Sequence, residues 1–249
     1  MAVAVITGGS TGIGLALASR LSDEGWTCVL LARGVERLER AARETGGEAE
    51  PCDVGDRTQV EAAAERIGER HASVSLLVNN AGIPGGGGFV DLPAERIEEV
   101  TRTNYLGSVW ALRAFLPLLR RGAPASVVTV ASVAGTVAAG SSGPYAASKH
   151  AQLAFSRSVA AELRPLGIRV HSVNPGPVAT VGFPQRGLLD RRWARHVVTR
   201  PERVAEAIVR AVERGQAETF VPGAFRLAAA AQAIAPATFG RLAARRAER

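Results

Sequence analysis

Short apolar runs alternate with amphipathic stretches along most of the chain. AVAVIT, WTCVLLAR and SVSLLVNNAG are apolar at successive positions, not at every second one. That pattern predicts strands buried on both faces of a parallel sheet. EAEPCDV reads as a further strand, third in order, and GIGLALASRLSDEG, VERLERAARETGG and RTQVEAAAERIGERH carry helical spacing between the runs. The second half continues with a helix from about Asn104 to Arg121, the strand ASVVTVAS, a helix from about Tyr145 to Arg164, and the strand GIRVHSVNPG. RPERVAEAIVRAVERG has Pro just inside its start and Gly at its end, as a capped helix should, and AETFVPG supplies a seventh strand. This β-α order predicts an α/β fold, a doubly wound parallel sheet of about seven strands flanked by helices. No linker, repeat or low-complexity segment divides residues 1–249, so one domain is expected.

Composition narrows the function classes. Hydrophobic residues make up 47% of the chain, enough for a sizeable core. Cys28 and Cys52 form no CxxC pair, so no metal site or disulfide framework is suggested, and two buried thiols in a reducing compartment are expected. Strand-like residues begin at Ala2 and no apolar run approaches the ~20 residues of a bilayer span, which points to a cytoplasmic protein. The net charge of +7 is uneven: residues 1–180 hold 17 basic and 17 acidic side chains, whereas residues 181–249 hold 13 Arg and 6 acids. Such a field would favour an anionic substrate or acidic carrier, or would simply be a solvated Arg-rich face. No aromatic-interleaved basic stripe accompanies it, so nucleic acid is not an expected partner.

The loop TGGSTGIG, Thr7 to Gly14, lies between the first strand and the first helix. Glycines there let the backbone turn tightly and approach a phosphate, and the helix start offers unpaired N–H groups and a positive dipole end. The spacing Gly8, Gly12, Gly14 is not the common GxGxxG, yet its place after the first strand marks a dinucleotide site of Rossmann type. Lys149 is the sole lysine among 30 basic residues. It stands four residues after Tyr145, so on a helix ammonium and phenol share a face. A fixed positive charge nearby would lower the phenol's pKa from ~10. Arg cannot lose a proton and presents a planar fork, so a chain that writes Arg elsewhere and Lys here suggests a chemical requirement.

TGxxxGxG, NNAG at 79–82, Ser132, Tyr-x-x-x-Lys at 145–149 and NPGPVAT at 174–180 together resemble the short-chain dehydrogenase/reductase family, in order and at family spacing. The resemblance implies Tyr145 as the acid/base that gives its proton to a carbonyl oxygen. It implies Lys149 as the residue that holds the nicotinamide ribose and tunes Tyr145, Ser132 as a hydrogen-bond donor to the substrate oxygen, and Asn104 as the fourth member, positioning a relay water behind the lysine. For the cofactor it implies Gly8, Ser10, Thr11, Gly12, Ile13 and Gly14 at the pyrophosphate and Asp53 with Val54 at the adenine. Asn80, Ala81 and Gly82 stand in the NNAG turn, whose role is structural as readily as one of direct contact. Pro175, Gly176, Val178 and Thr180 fall toward the nicotinamide, beside Tyr145 and Lys149.

The end of the second strand bears on the choice of nicotinamide. Ala32 stands where NAD enzymes of the family usually carry Asp, and Arg33 follows, a residue suited to a 2′-phosphate. NADP(H) is therefore favoured over NAD(H), against the alternative that Arg33 is one more surface arginine. Thr11 occupies a position where some NADP-using relatives have a second basic residue, which weighs the other way. The family's substrate lid falls at about residues 181–199, where Phe183, Leu188, Leu189 and Trp193 suit an apolar carbonyl compound or equally the packing of a helix. An Ala-rich helical extension, about 224–249, should be interrupted by Pro236. Its terminal arginines could touch an anionic membrane surface, but with few bulky apolar residues membrane contact is not expected. The resemblance implies a homotetramer or homodimer and a small-molecule carbonyl or alcohol substrate. Two alternatives stand beside ketone/alcohol oxidoreduction: reduction of a 3-oxoacyl thioester on an acyl carrier, and a non-catalytic dinucleotide sensor.

Overall fold

The computed structural model describes residues 1–85, 87–138, 142–183, 185 and 197–238. Its centre is a seven-stranded sheet in the order β3-β2-β1-β4-β5-β6-β7, with every neighbouring pair parallel. The strands are β1 (Val3–Thr7), β2 (Thr27–Ala32), β3 (Glu48–Pro51), β4 (Leu76–Asn79), β5 (Ala125–Val130), β6 (Ile168–Pro175) and β7 (Glu218–Val221). Helices α1 (Gly12–Asp23), α2 (Val35–Thr45), α3 (Arg57–Arg70), α4 (Ala94–Thr101), α5 (Gly107–Arg121), α6 (Gly143–Leu163), α7 (Pro201–Glu213) and α8 (Phe225–Ile234) connect and follow them. The order reverses between β1 and β4, and a crevice opens at the strands' carboxyl ends where neighbouring connections leave in opposite directions.

The unbroken apolar runs have a direct cause. Every residue of β1 is buried, because its alternate side chains serve two separate cores. Ala4 and Ile6 pack with Leu17, Leu21 and Leu38 of α1 and α2 and with Ile208 of α7. Val3 and Val5 pack with Ile67 of α3 and Phe115 of α5 on the other face. Fully burying one such aliphatic side chain contributes ~1.5–3 kcal/mol, so the two cores together fix where the strand ends lie.

Two differences from the sequence reading have physical reasons. The third strand stops at Pro51 instead of running through Val54. As the sheet's edge it carries Glu48 and Glu50, which α3 holds through Arg66 and Arg70. The helix expected from Asn104 begins ten residues earlier as α4, whose AERIEEVT has one buried residue, Val100, and so no apolar stripe to read. Between α4 and α5 lies a π-turn, Arg102–Leu106, carrying Asn104. The C-terminal extension is helical to Ile234 and breaks at Ala235, just before Pro236. Leu188, Leu189 and Trp193 of the expected lid, and Arg241, Arg245, Arg246 and Arg249, lie outside the described residues.

Candidate active site

A cleft of about 1120 Å³ opens at the carboxyl ends of β1, β2, β4, β5 and β6. Its floor is the glycine loop. Gly8 and Gly12 adopt φ of +66° and +57°, a left-handed backbone that side chains disfavour. A Cβ on Gly12 would lie 2.9 Å from Thr180 Cγ2. Behind them α1 begins at Gly12, with Thr11 extended and making no side-chain cap, so the helix's first N–H groups face the cleft. The loop is tied to the NNAG turn by a clasp. Thr7 Oγ1 accepts from Asn80 N and Ala81 N, both at 3.0 Å. Asn80 Nδ2 donates to Thr7 O at 2.9 Å and Gly8 O at 3.2 Å.

One flank carries groups suited to a nucleoside. Asp53 follows β3, its Oδ1 accepting from Gly55 N at 2.9 Å. Arg33, at the end of β2, has Nη1 3.8 Å from Asp53 Oδ2 and 3.9 Å from Glu99 Oε1. Arg37 of α2 lines the same end, a residue the sequence reading missed because it is one of a dense set of helical arginines. The glycine-rich floor, the open helix start, and a carboxylate with two guanidiniums at one end fit a dinucleotide.

The opposite flank holds Ser132, Tyr145 and Lys149. Ser132 follows β5, with Oγ accepting from Ala134 N at 3.1 Å and lying 3.4 Å from Pro175 O. Tyr145 and Lys149 sit near the start of α6, and both line the cleft with Ser132. The Tyr145 ring leans on Phe183, with centroids 6.0 Å apart. Gly85 lies so close that a Cβ there would come within 3.1 Å of Tyr145 Cβ. Burial raises the Tyr145 pKa, and a hydrogen bond with Ser132 acts against it. This differs from the depression expected from Lys149 alone. The buried ammonium donates to Val130 O at 3.1 Å and Gln152 Oε1 at 2.8 Å, and burial brings its own pKa down to about 7.

Of the catalytic and cofactor-binding residues singled out from sequence, two do not line the cleft. A Cβ on Gly14 would collide with Gly8 O, so this glycine lets α1 pack against the loop. Asn104 is fully buried one layer behind. Its Oδ1 accepts from Ile83 N at 2.8 Å, and its Nδ2 donates to Ile83 O at 3.1 Å and Ser148 Oγ at 3.0 Å. The rest of that set lines the cleft, together with Phe225, which the sequence reading did not single out.

Comparison with known proteins agrees with this geometry. The family model described as short chain dehydrogenase matches residues 2–186. A putative ketoacyl reductase of Streptomyces coelicolor is 39% identical over 186 residues, 72% of this chain and 71% of the relative. A 1-deoxy-11-beta-hydroxypentalenate dehydrogenase of Streptomyces exfoliatus is 38% identical over 185 residues, 71% of this chain and 67% of the relative. Among solved structures, a variant of the actinorhodin polyketide ketoreductase with NADPH superposes with a TM-score of 0.80 at 31% identity, covering 90% of this chain and 97% of that one. A short-chain dehydrogenase/reductase of Burkholderia phymatum in complex with NAD gives 0.84 at 27% identity, covering 96% and 95%.

Proposed function

The chain belongs to the short-chain dehydrogenase/reductase family, oxidoreductases that use a nicotinamide dinucleotide, and on that premise we propose that it is an NADPH-dependent ketoreductase with Tyr145 as its acid. The observation that carries the proposal is the convergence of Ser132, Tyr145 and Lys149 on one wall of a cleft whose floor is the glycine loop. When bound, the nicotinamide supplies or accepts the hydride. The chain's own residues supply the rest. The substrate carbonyl oxygen accepts from the Ser132 and Tyr145 hydroxyls, and Tyr145 passes its proton to that oxygen as negative charge builds there. A phenol whose pKa burial keeps high stays protonated near neutrality, which suits reduction. Lys149, at the ribose side, limits the cost of the phenolate left behind. In this reading Gly8, Ser10, Thr11, Gly12 and Ile13 hold the pyrophosphate, Asp53 and Val54 the adenine, and Arg33 with Arg37 the 2′-phosphate. Pro175, Gly176, Val178 and Thr180 bound the nicotinamide end.

The relatives named as ketoacyl and polyketide ketoreductases favour a second reading, reduction of a 3-oxoacyl thioester presented by an acyl carrier. The arginine excess of residues 181–249 would attract an acidic carrier.

The test pairs wild type with Tyr145→Phe. Both are titrated with NADPH and NADH, then assayed for NADPH oxidation on apolar ketones and 3-oxoacyl thioesters. Both proteins should bind NADPH, while Tyr145→Phe loses about 10²–10⁴ in turnover, the share general acid catalysis supplies. Turnover on thioesters alone selects the second reading. Binding by both without turnover on any carbonyl would replace catalysis with a sensing role.

A further inference from the structure

Gln152 stands one turn beyond Lys149 on α6 and is fully buried. No motif that marks the site includes it. Its amide has a defined orientation, because the group beyond it is committed. Ser108 Oγ donates to Asn104 O at 3.2 Å. It must therefore accept from Gln152 Nε2, at 2.6 Å, which leaves Gln152 Oε1 to accept from Lys149 Nζ at 2.8 Å. From Asn104 the bonds run on to the backbone of Tyr145. Asn104 Nδ2 donates to Ser148 Oγ, and Ser148 Oγ donates to Tyr145 O at 2.8 Å. Protein groups thus bridge the lysine to the Asn104 carbonyl. An amide, unlike a water or hydroxyl, does not readily pass a proton along such a bridge.

We propose that Gln152 is a positioning residue for Lys149, fixing where the ammonium sits and helping it stay protonated in a buried site. The inference rests on the reading of Tyr145 and Lys149 as reacting groups. Elements packed around the ammonium offer it no opposite charge among the described residues. β5 presents the Val130 carbonyl, the turn after β4 presents Gly82, the π-turn and α5 present Asn104 and Ser108, and the 3-10 turn Val133–Gly135 packs Gly135 against the lysine backbone. Tyr145 is the titratable side chain on the same wall. Burial works against the charged lysine. A hydrogen bond to the charged form opposes that effect, and losing one corresponds to about tenfold in proton affinity, or about one pH unit.

Because the chain contains one lysine, protein labelled with carbon isotope at lysine Cε gives a single side-chain resonance to titrate by NMR, with no substrate required. Gln152→Met is expected to lower the Lys149 pKa by about one unit, and Ser108→Ala by a smaller step in the same direction. Gln152→Glu, which keeps an acceptor and adds a charge, should raise it above wild type. A Gln152→Met titration that overlies wild type overturns the proposal. Should that variant not fold, an unchanged Ser108→Ala titration does so. A shifted titration in a protein that reduces no carbonyl would uphold the Gln152–Lys149 coupling and refute the catalytic reading alone.

Discussion

Replacing Arg33 by Ala should erode the preference for NADPH over NADH, and the structure bounds the size of the effect. The Arg33 side chain is 54% exposed, and its two carboxylate neighbours stand at 3.8 and 3.9 Å, beyond hydrogen-bond distance. Neither therefore holds the guanidinium fork firmly, and a 2′-phosphate can draw it. A hydrogen bond to a charged group contributes ~1.5–3 kcal/mol when well made, and an exposed ion pair ~0.2–1 kcal/mol. For a half-exposed guanidinium we take about 1–2 kcal/mol, or about 5- to 30-fold in Kd. Fluorescence titration of Arg33→Ala should show NADPH weakened by that factor and NADH changed less than about twofold. Arg37 lines the same end of the cleft, so preference left in the single variant should vanish in Arg33→Ala/Arg37→Ala. Glu99→Gln removes a competitor for Arg33 and should strengthen NADPH slightly. Equal weakening of both nicotinamides, or unchanged NADPH binding, would refute the assignment and leave Arg33 a surface arginine.

Gly14→Ala drives a methyl group into Gly8 O, against backbone that cannot rotate away. It should cost about 1–3 kcal/mol, seen as a lower thermal midpoint, and weaken both nicotinamides alike through displacement of the loop; an unchanged midpoint would contradict that packing role. The Lys149 pKa of about 7 lies below the ordinary lysine value, so its charge is present below pH 7 and lost above. The affinity gap for NADPH between wild type and Lys149→Met should accordingly be full at acidic pH and narrow as pH rises through 7. A gap that does not vary with pH would mean that the ammonium stays charged throughout.

The chemistry-bearing residues were legible because their types are rare at their positions. A lone lysine four residues from one of two tyrosines stands out, as does a glycine cluster behind an apolar strand. The inner strands were legible for a related reason: burial on both faces keeps successive positions mostly apolar, as in β1. What escaped was whatever depends on long-range neighbours. α4 has four charged residues in eight and packs mainly through Val100, so no period marks it. Gln152 reads as an ordinary polar helix residue until Ser108, 44 positions away, is seen to meet it. Gly14 was assigned to the ligand by its motif, while its neighbour in space, Gly8 O, gives it a packing role. The raised pKa of Tyr145 likewise follows from its burial in the cleft wall, which no local spacing encodes.

The cleft draws its lining from Gly8 at one end of the sequence to Phe225 near the other. A ligand filling it touches groups that lie together only after β6 has joined the sheet and α8 has followed β7. A dinucleotide that needs all of these groups would therefore act as a late seal on an assembled sheet, not as a nucleus for it. Its free energy would then fall on the barrier to opening: bound dinucleotide should lengthen the life of the folded state while leaving the speed of folding nearly untouched.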